Sequence, residues 1–274
     1  MTNRFVRYQQ ALLWQGDTTP TEAMARQALR DQGGLFARWT SHHDCPQPTA
    51  WWYCVKEQFT PLDSYSAKQR YRIRRGLQNC RILPLTTEQL QPYHEAIYSL
   101  LCESFADYPA SYRPNYTRSD FLKQLEQMKA NHADCFLAFT ADNELCAFCY
   151  CEVVDDVAWL RQVKVPTRLL PTEVNAALAF TVTRFYLEQQ RVRYICDGER
   201  NIRHATGYQD FLVRVIGFRY AYCRLHVVYA AWLKPLVSVL YPFRSLFERL
   251  GQRSKLCFNI SSLLQQHTIV KSFY

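Results

Sequence analysis

Residues 197–204 read Asp-Gly-Glu-Arg-Asn-Ile-Arg-His, the richest polar cluster of the chain. Side chains of these types move protons and hold anions. Asp197, Glu199 and His204 are candidate bases. Arg200 and Arg203 carry planar guanidiniums suited to phosphate or carboxylate groups. The plain alternative is an Asp197–Gly198 turn with the arginines bridged to neighbouring acids. A second cluster is Lys68-Gln-Arg-Tyr-Arg-Ile-Arg-Arg75. On a helix Lys68, Arg72 and Arg75 share one face, and Arg70 and Arg74 another. That face suits a phosphate backbone or a nucleotide-linked precursor, or else it is simply solvated. His42-His43-Asp44-Cys45 has metal-binding residue types without a partner group and reads as a loop. Cys146, Cys149 and Cys151 lack zinc spacing, so no metal site is expected. His226, inside an apolar run, reads as a hydrogen-bonded core histidine.

The elements that must carry these residues follow from hydrophobic period and caps. Thr21–Asp31 reads as a helix and Trp51–Lys56 as a strand. Ser64 or Ser66 offers an N-cap for the basic helix, which Gly76 would close at C′. Cys80–Leu85 is a short strand. Glu88–Phe105 and Ser119–Asn131 are helical, with Tyr93, Ile97, Leu100, Leu101 and Phe105 at helical spacing. The period then changes. Cys135–Thr140, Leu145–Val154 and Val157–Val165 are three strands joined by the turns Ala141–Glu144 and Asp155–Asp156. Thr172 can cap a helix through Glu188, and Arg193–Cys196 is a strand. Asp197–His204 is a polar connector, placed after a strand and ahead of the helix Tyr208–Ile216. Gly217 ends that helix, and Tyr220–Tyr229 is a long strand. The remaining residues look helical, with Pro235 and Pro242 breaking them into short pieces.

The chain has 274 residues, 48% hydrophobic and 21% charged, enough for a sizeable core. Glycine is scarce at 8 residues, which argues against a Gly-rich nucleotide loop. The net charge of +9 sits at the ends. Residues 1–84 hold 12 basic and 6 acidic side chains, and residues 231–274 hold 6 and 1. This asymmetry points to an anionic partner, RNA, phosphate groups or a membrane surface, or else to a plain solvated surface. Residues 231–274 would by default cover the sheet, with peripheral membrane contact or a dimer contact as further options. No stretch reaches the ~20 apolar residues of a transmembrane segment. Eleven cysteines, odd in number and irregular in spacing, read as reduced thiols in a cytoplasmic protein.

From Glu88 onward the order is helix, helix, three strands, helix, strand, helix, strand, closing on GFRYAYCRLHVVY. This resembles the Gcn5-related N-acetyltransferase (GNAT) superfamily over residues 85–230. The passage SYSAKQRYRIRRGLQNCRILPL resembles its FemAB-like branch, where a Lys/Arg-rich helix leads into the strand that begins a second acyltransferase-like domain. It is also similar to a group of short bacterial proteins of that superfamily. The resemblance implies an α/β (α+β) mixed sheet, the GNAT-like acyl-CoA N-acyltransferase fold. Residues 1–84 would be a basic, truncated GNAT-like subdomain, 85–230 the GNAT-like domain and 231–274 a basic helical tail.

It also implies transfer of an acyl or aminoacyl group to an amine, on a cell-envelope precursor. The donor substrate would be acyl-CoA or aminoacyl-tRNA, with no resident cofactor, and the anionic partner tRNA or a phosphate-bearing precursor. Asp197, Glu199 or His204 would take the proton from the attacking nitrogen. Two departures disfavour acetyl-CoA. The stretch Val163–Glu173, where the family's pyrophosphate loop lies, has no glycine, two prolines and the bulky pair Leu169–Leu170, leaving Lys164 and Arg168 as its cations. Val213 stands where many members have the tyrosine acid. Three other readings stay open: an acetyl-CoA-dependent N-acetyltransferase with an atypical loop, a catalytically silent binding or scaffold protein, and a nucleic-acid-binding module.

Overall fold

The computed structural model describes residues 3–16, 18–110, 113–202 and 207–273. Arg203 and His204 lie outside the described residues. In chain order the elements are β1 (Arg4–Tyr8), β2 (Ala11–Gln15), α1 (Glu22–Gln32), β3 (Phe36–Ser41), β4 (Trp51–Lys56), α2 (Ala67–Asn79), β5 (Arg81–Thr86), α3 (His94–Ala106) and α4 (Arg118–Ala130). Then come β6 (Asp134–Phe139), β7 (Leu145–Val154), β8 (Val157–Lys164), α5 (Val174–Arg184), β9 (Tyr194–Glu199), α6 (Tyr208–Phe211), β10 (Arg219–Tyr229), α7 (Leu233–Leu240), α8 (Arg244–Gly251) and α9 (Lys255–Lys271). The chain forms two compact units. One gathers Met1–Tyr53, Glu199–Ala205 and Ala221–Tyr274, the other Cys54–Gly198 and Thr206–Tyr220.

In the first unit β1 and β2 are antiparallel, α1 crosses to bring β3 parallel to β2, and β10 pairs antiparallel with β3. Phe5, Leu12, Ala25, Ala37, Trp39 and Val228 form its core under α1. Thr21 caps α1 by accepting from the Met24 amide. The tail is helical, as expected, but Pro235 lies in the first turn of α7, where no helical N–H is required. The second proline, Pro242, sits in a 3₁₀ turn, Tyr241–Phe243.

In the second unit β5, β6, β7 and β8 run antiparallel, and β9 adds parallel to β8. Alternation along β6 explains its two layers. Cys135, Leu137 and Phe139 face Ile97, Leu101, Phe121 and Leu125 of α3 and α4. Phe136 and Ala138 face the cluster that holds Ile73 of α2 and Ala177, Leu178 and Val182 of α5. Asp155 and Asp156, both at positive φ (49° and 63°), make the tight turn between β7 and β8. All eleven cysteines are free.

Three sequence-based expectations change. Gly76 does not close α2: the helix runs to Asn79, and Gly76 is buried in its last turns. Thr172 is not the cap of α5, because Thr167–Thr172 forms a 3₁₀ turn and Glu173, at φ 61°, precedes the helix. The connector starts later than expected, since Asp197–Glu199 continue β9.

Candidate functional site

Within the second unit, β8 and β9 share only three register pairs, Val157↔Tyr194, Ala158↔Ile195 and Trp159↔Cys196. Beyond them β8 runs on to Lys164 and β9 to Glu199 without pairing with each other. The cause lies on the other side of β8. Cys151 pairs with Leu160 and Tyr150 with Gln162, so Arg161 is an extra, bulged residue. A bulge bends its strand and raises the local twist. The Arg161 guanidinium is held 2.7 Å from the buried Glu152 carboxylate, which fixes the bulge. Leu160 and Val163 of β8, Ile195 of β9, and Tyr208, Leu212 and Phe218 line a small apolar cavity with a volume of about 10 Å³.

Each of the parting strands carries an ionisable group near its C-terminal end. Burial pushes the Asp197 carboxyl up to about 7, with the Gln209 side chain pulling it back by hydrogen bonding. Burial pushes the Lys164 amine down to about 8. Lys164 donates to the Tyr108 hydroxyl and lies over the Phe105 and Tyr108 rings, 4.5 and 4.7 Å from their centroids. Tyr208 is a neighbour of Asp197, and burial together with that carboxylate raises its phenol well above the ordinary range. Two groups of opposite charge type are thus drawn toward neutral pH, where proton transfer is most effective.

The start of α5 is closed. Helix α2 packs directly on it: a Cβ on Gly76 would lie 2.2 Å from the Glu173 carbonyl oxygen. Arg72 holds the Glu173 carboxylate through Nε–Oε1 at 2.9 Å and Nη2–Oε2 at 2.8 Å. Asn79 Nδ2 donates to the Thr172 carbonyl. The Ala176 and Ala177 amides donate to the Glu173 carbonyl. Arg168 is paired with Glu103 at 2.6 Å.

The other sequence candidates fall elsewhere. Glu199 belongs to the first unit, where Arg38 Nη2 sits 3.1 Å from Oε2 and the Tyr53 hydroxyl donates to Oε1 at 2.9 Å. Arg38 also lies over the Trp51 ring. Among the described residues Arg200 has no acid as an ion-pair partner. Its Nη1 donates to the Ala50 carbonyl at 2.6 Å and its guanidinium stacks on Trp52. On α2, Arg72 is engaged by Glu173 and packs over Phe211, whereas Lys68 and Arg75 are exposed. Arg70 donates to the Asp63 and Tyr65 carbonyls, and Arg74 pairs with Asp63. His226 is hydrogen-bonded as expected, its Nε2 2.7 Å from the Ser41 hydroxyl and its ring stacked on Trp39, but it is only partly buried and lies at the edge of the core. Among the described residues no group of three or more His, Cys, Asp or Glu side chains could hold a metal ion.

Sequence reasoning named Asp197 but took Lys164 only as a cation of the Val163–Glu173 stretch, able to bind anions by charge, and it missed Tyr208. A signal for Lys164 was present: it ends an apolar strand between Val163 and Val165, with no acid nearby in sequence. Tyr208 carries no comparable signal, because its place beside Asp197 comes from the tertiary fold and not from local sequence.

The sequence matches no family model and no curated protein. Solved structures do match. The C-terminal domain (DUF2156) of a candidate lysylphosphatidylglycerol synthetase from Agrobacterium fabrum superposes with a TM-score of 0.55 at 10% identity, covering 86% of this chain and 82% of that one. The structure of L-PGS from Bacillus licheniformis gives 0.48 at 10% identity, over 86% and 83%. A tandem GNAT protein of clavulanic acid biosynthesis gives 0.46 at 14%, over 81% and 76%. At these identities the likeness concerns architecture, and with the strand order above it makes the chain a mixed α/β protein of the GNAT-like acyltransferase fold.

Proposed function

We propose that the protein transfers an aminoacyl group from aminoacyl-tRNA to an amine on a cell-envelope lipid or lipid-linked precursor, as a member of the FemAB-like branch. The observation that carries this reading is the pair of ionisable groups, Asp197 and Lys164, on the parting strands. In the proposed step the acceptor nitrogen attacks the ester carbonyl of the donor. A C–N bond forms and the C–O ester bond breaks. The Asp197 carboxylate accepts the proton lost by nitrogen and passes it to the departing ribose oxygen, which leaves as the hydroxyl. The Lys164 ammonium, above an apolar floor, supplies positive charge for the tetrahedral oxyanion.

The closed start of α5 supports a donor other than acetyl-CoA. A pyrophosphate is normally held by free amides at such a helix N-terminus. Here Glu173 places a carboxylate there, and α2 covers the backbone. The name of the Agrobacterium domain, lysylphosphatidylglycerol synthetase, speaks of an aminoacylated phospholipid, which supports the aminoacyl and lipid parts of the reading but not the amine, because phosphatidylglycerol offers hydroxyls; that likeness reaches the fold alone.

The test is incubation of the purified protein with labelled aminoacyl-tRNAs and extracted envelope lipids. The expected result is label in the lipid fraction, reduced ~10²-fold or more in Asp197→Asn. Consumption of acetyl-CoA with no turnover of aminoacyl-tRNA would reject the reading.

A further inference from the structure

We propose that the outer face of the C-terminal helices, formed by Trp232, Leu236, Val239, Phe243, Leu246 and Leu250, docks on an anionic lipid surface. These six side chains are between 43% and 65% exposed. Their spacing alternates four and three residues, the repeat that keeps side chains on one stripe of a helix. The backbone under them is helical throughout, from α7 through the Tyr241–Phe243 turn into α8.

The same segment already has a buried face. Leu233 and Val237 pack with Tyr229 and Leu264 in the core of the first unit. One apolar face is enough to anchor a surface helix. A second, left in water, marks an interaction site.

Charge identifies the occupant. Lys234, Arg244, Arg249, Arg253 and Lys255 are exposed in or beside the same helices, and Glu248 is the single acid between residues 231 and 274. An apolar stripe with a basic border, carrying Trp and Phe, is what lies flat in an anionic bilayer interface. Each basic residue near such a surface adds attraction that decays within a Debye length. A second copy of this chain fits less well. It would set like charges against each other. No described helix is long and apolar enough to cross a membrane, so the mode proposed is surface docking.

The inference does not depend on the transferase reading, because vesicle binding needs no turnover. The experiment is co-sedimentation of the full chain with vesicles of phosphatidylcholine, or of phosphatidylcholine and phosphatidylglycerol in equal parts. Binding to the mixed vesicles is expected to be at least about tenfold tighter and to weaken with salt. The pair Val239→Ser and Phe243→Ser should lower it about tenfold or more. Both side chains are exposed, so an unchanged melting temperature is expected for this variant. Arg244→Gln with Arg249→Gln should abolish the preference for phosphatidylglycerol while leaving the apolar face intact. The proposal is overturned if the full chain does not bind mixed vesicles, or if neither variant changes binding. It is also overturned if sedimentation velocity shows a dimer that the serine variant dissociates while vesicles go unbound.

Discussion

The backbone of Gly76 rests on the carbonyl oxygen of Glu173, so closely that a Cβ at Gly76 would sit 2.2 Å from that oxygen. Glycine inside a helix ordinarily costs about 0.5–1 kcal/mol relative to alanine. Here the sign should reverse, because the obstructing atom is backbone and cannot swing away. Gly76→Ala is expected to destabilise the protein by about 1–3 kcal/mol, the usual range for overpacking. Urea titration of the two proteins measures this; an equal or higher midpoint in the variant would contradict the packing described.

A buried acid leaves a signature in stability. Asp197 is held at about 7 in the folded protein, while an unfolded Asp titrates near ~3.9. Between those values the folded state keeps a proton that the unfolded state has released. Stability therefore falls as pH rises through this window, and the favourable contribution is fully present only below it. Asp197→Asn removes the titration. The variant should gain stability relative to the parent as pH rises from about 4 to 7, and hold the gain above that. Melting temperatures at several pH values check this, and parallel curves for the two proteins would show an ordinary carboxyl.

The three central strands were legible because their signal is local. Leu145–Val154 is a nearly continuous apolar run, as a strand covered on both faces should be, and Asp155–Asp156 suits a tight turn. The polar cluster was legible as a list of side chains but not as an arrangement. Gly198, at φ 94°, reads as the start of a turn, yet β9 continues through it to Glu199. The surroundings of Asp197 depend on Gln209 and Tyr208, which come from a later element. Those of Glu199 depend on Arg38 and Tyr53, which lie more than a hundred residues earlier. Gly76 was misread for a similar reason. Its position near the end of a basic run suits a helix stop, whereas its actual constraint comes from Glu173.

Glu199 and Asp197 should then respond differently to neutralisation. Glu199 accepts from Arg38 and Tyr53, and its loss leaves a part-buried guanidinium without a counter-ion. Glu199→Gln is expected to cost about 1–2 kcal/mol of stability. Its turnover per folded molecule should fall far less than that of Asp197→Asn. A Glu199→Gln protein that melts like the parent but has lost turnover would move the base from Asp197 to Glu199.

The basic face of α2 yields a narrower expectation than its sequence did. Five cations line Lys68–Arg75, but Arg70, Arg72 and Arg74 are engaged by Tyr65, Glu173 and Asp63. Lys68 and Arg75 stand exposed on one face, seven residues and so two helical turns apart. If the anionic partner is RNA, each phosphate they neutralise contributes about 0.7–0.9 to the slope of log affinity against log salt. Replacing both by Ala should lower that slope by about 1.5, with no change in melting temperature. Replacing Arg72 should instead reduce stability, because Glu173 loses its partner. Filter binding of tRNA across a salt series, with both variants, separates the two roles. A slope unchanged in the double variant would show that α2 presents a solvated face and that RNA, if bound, is held elsewhere.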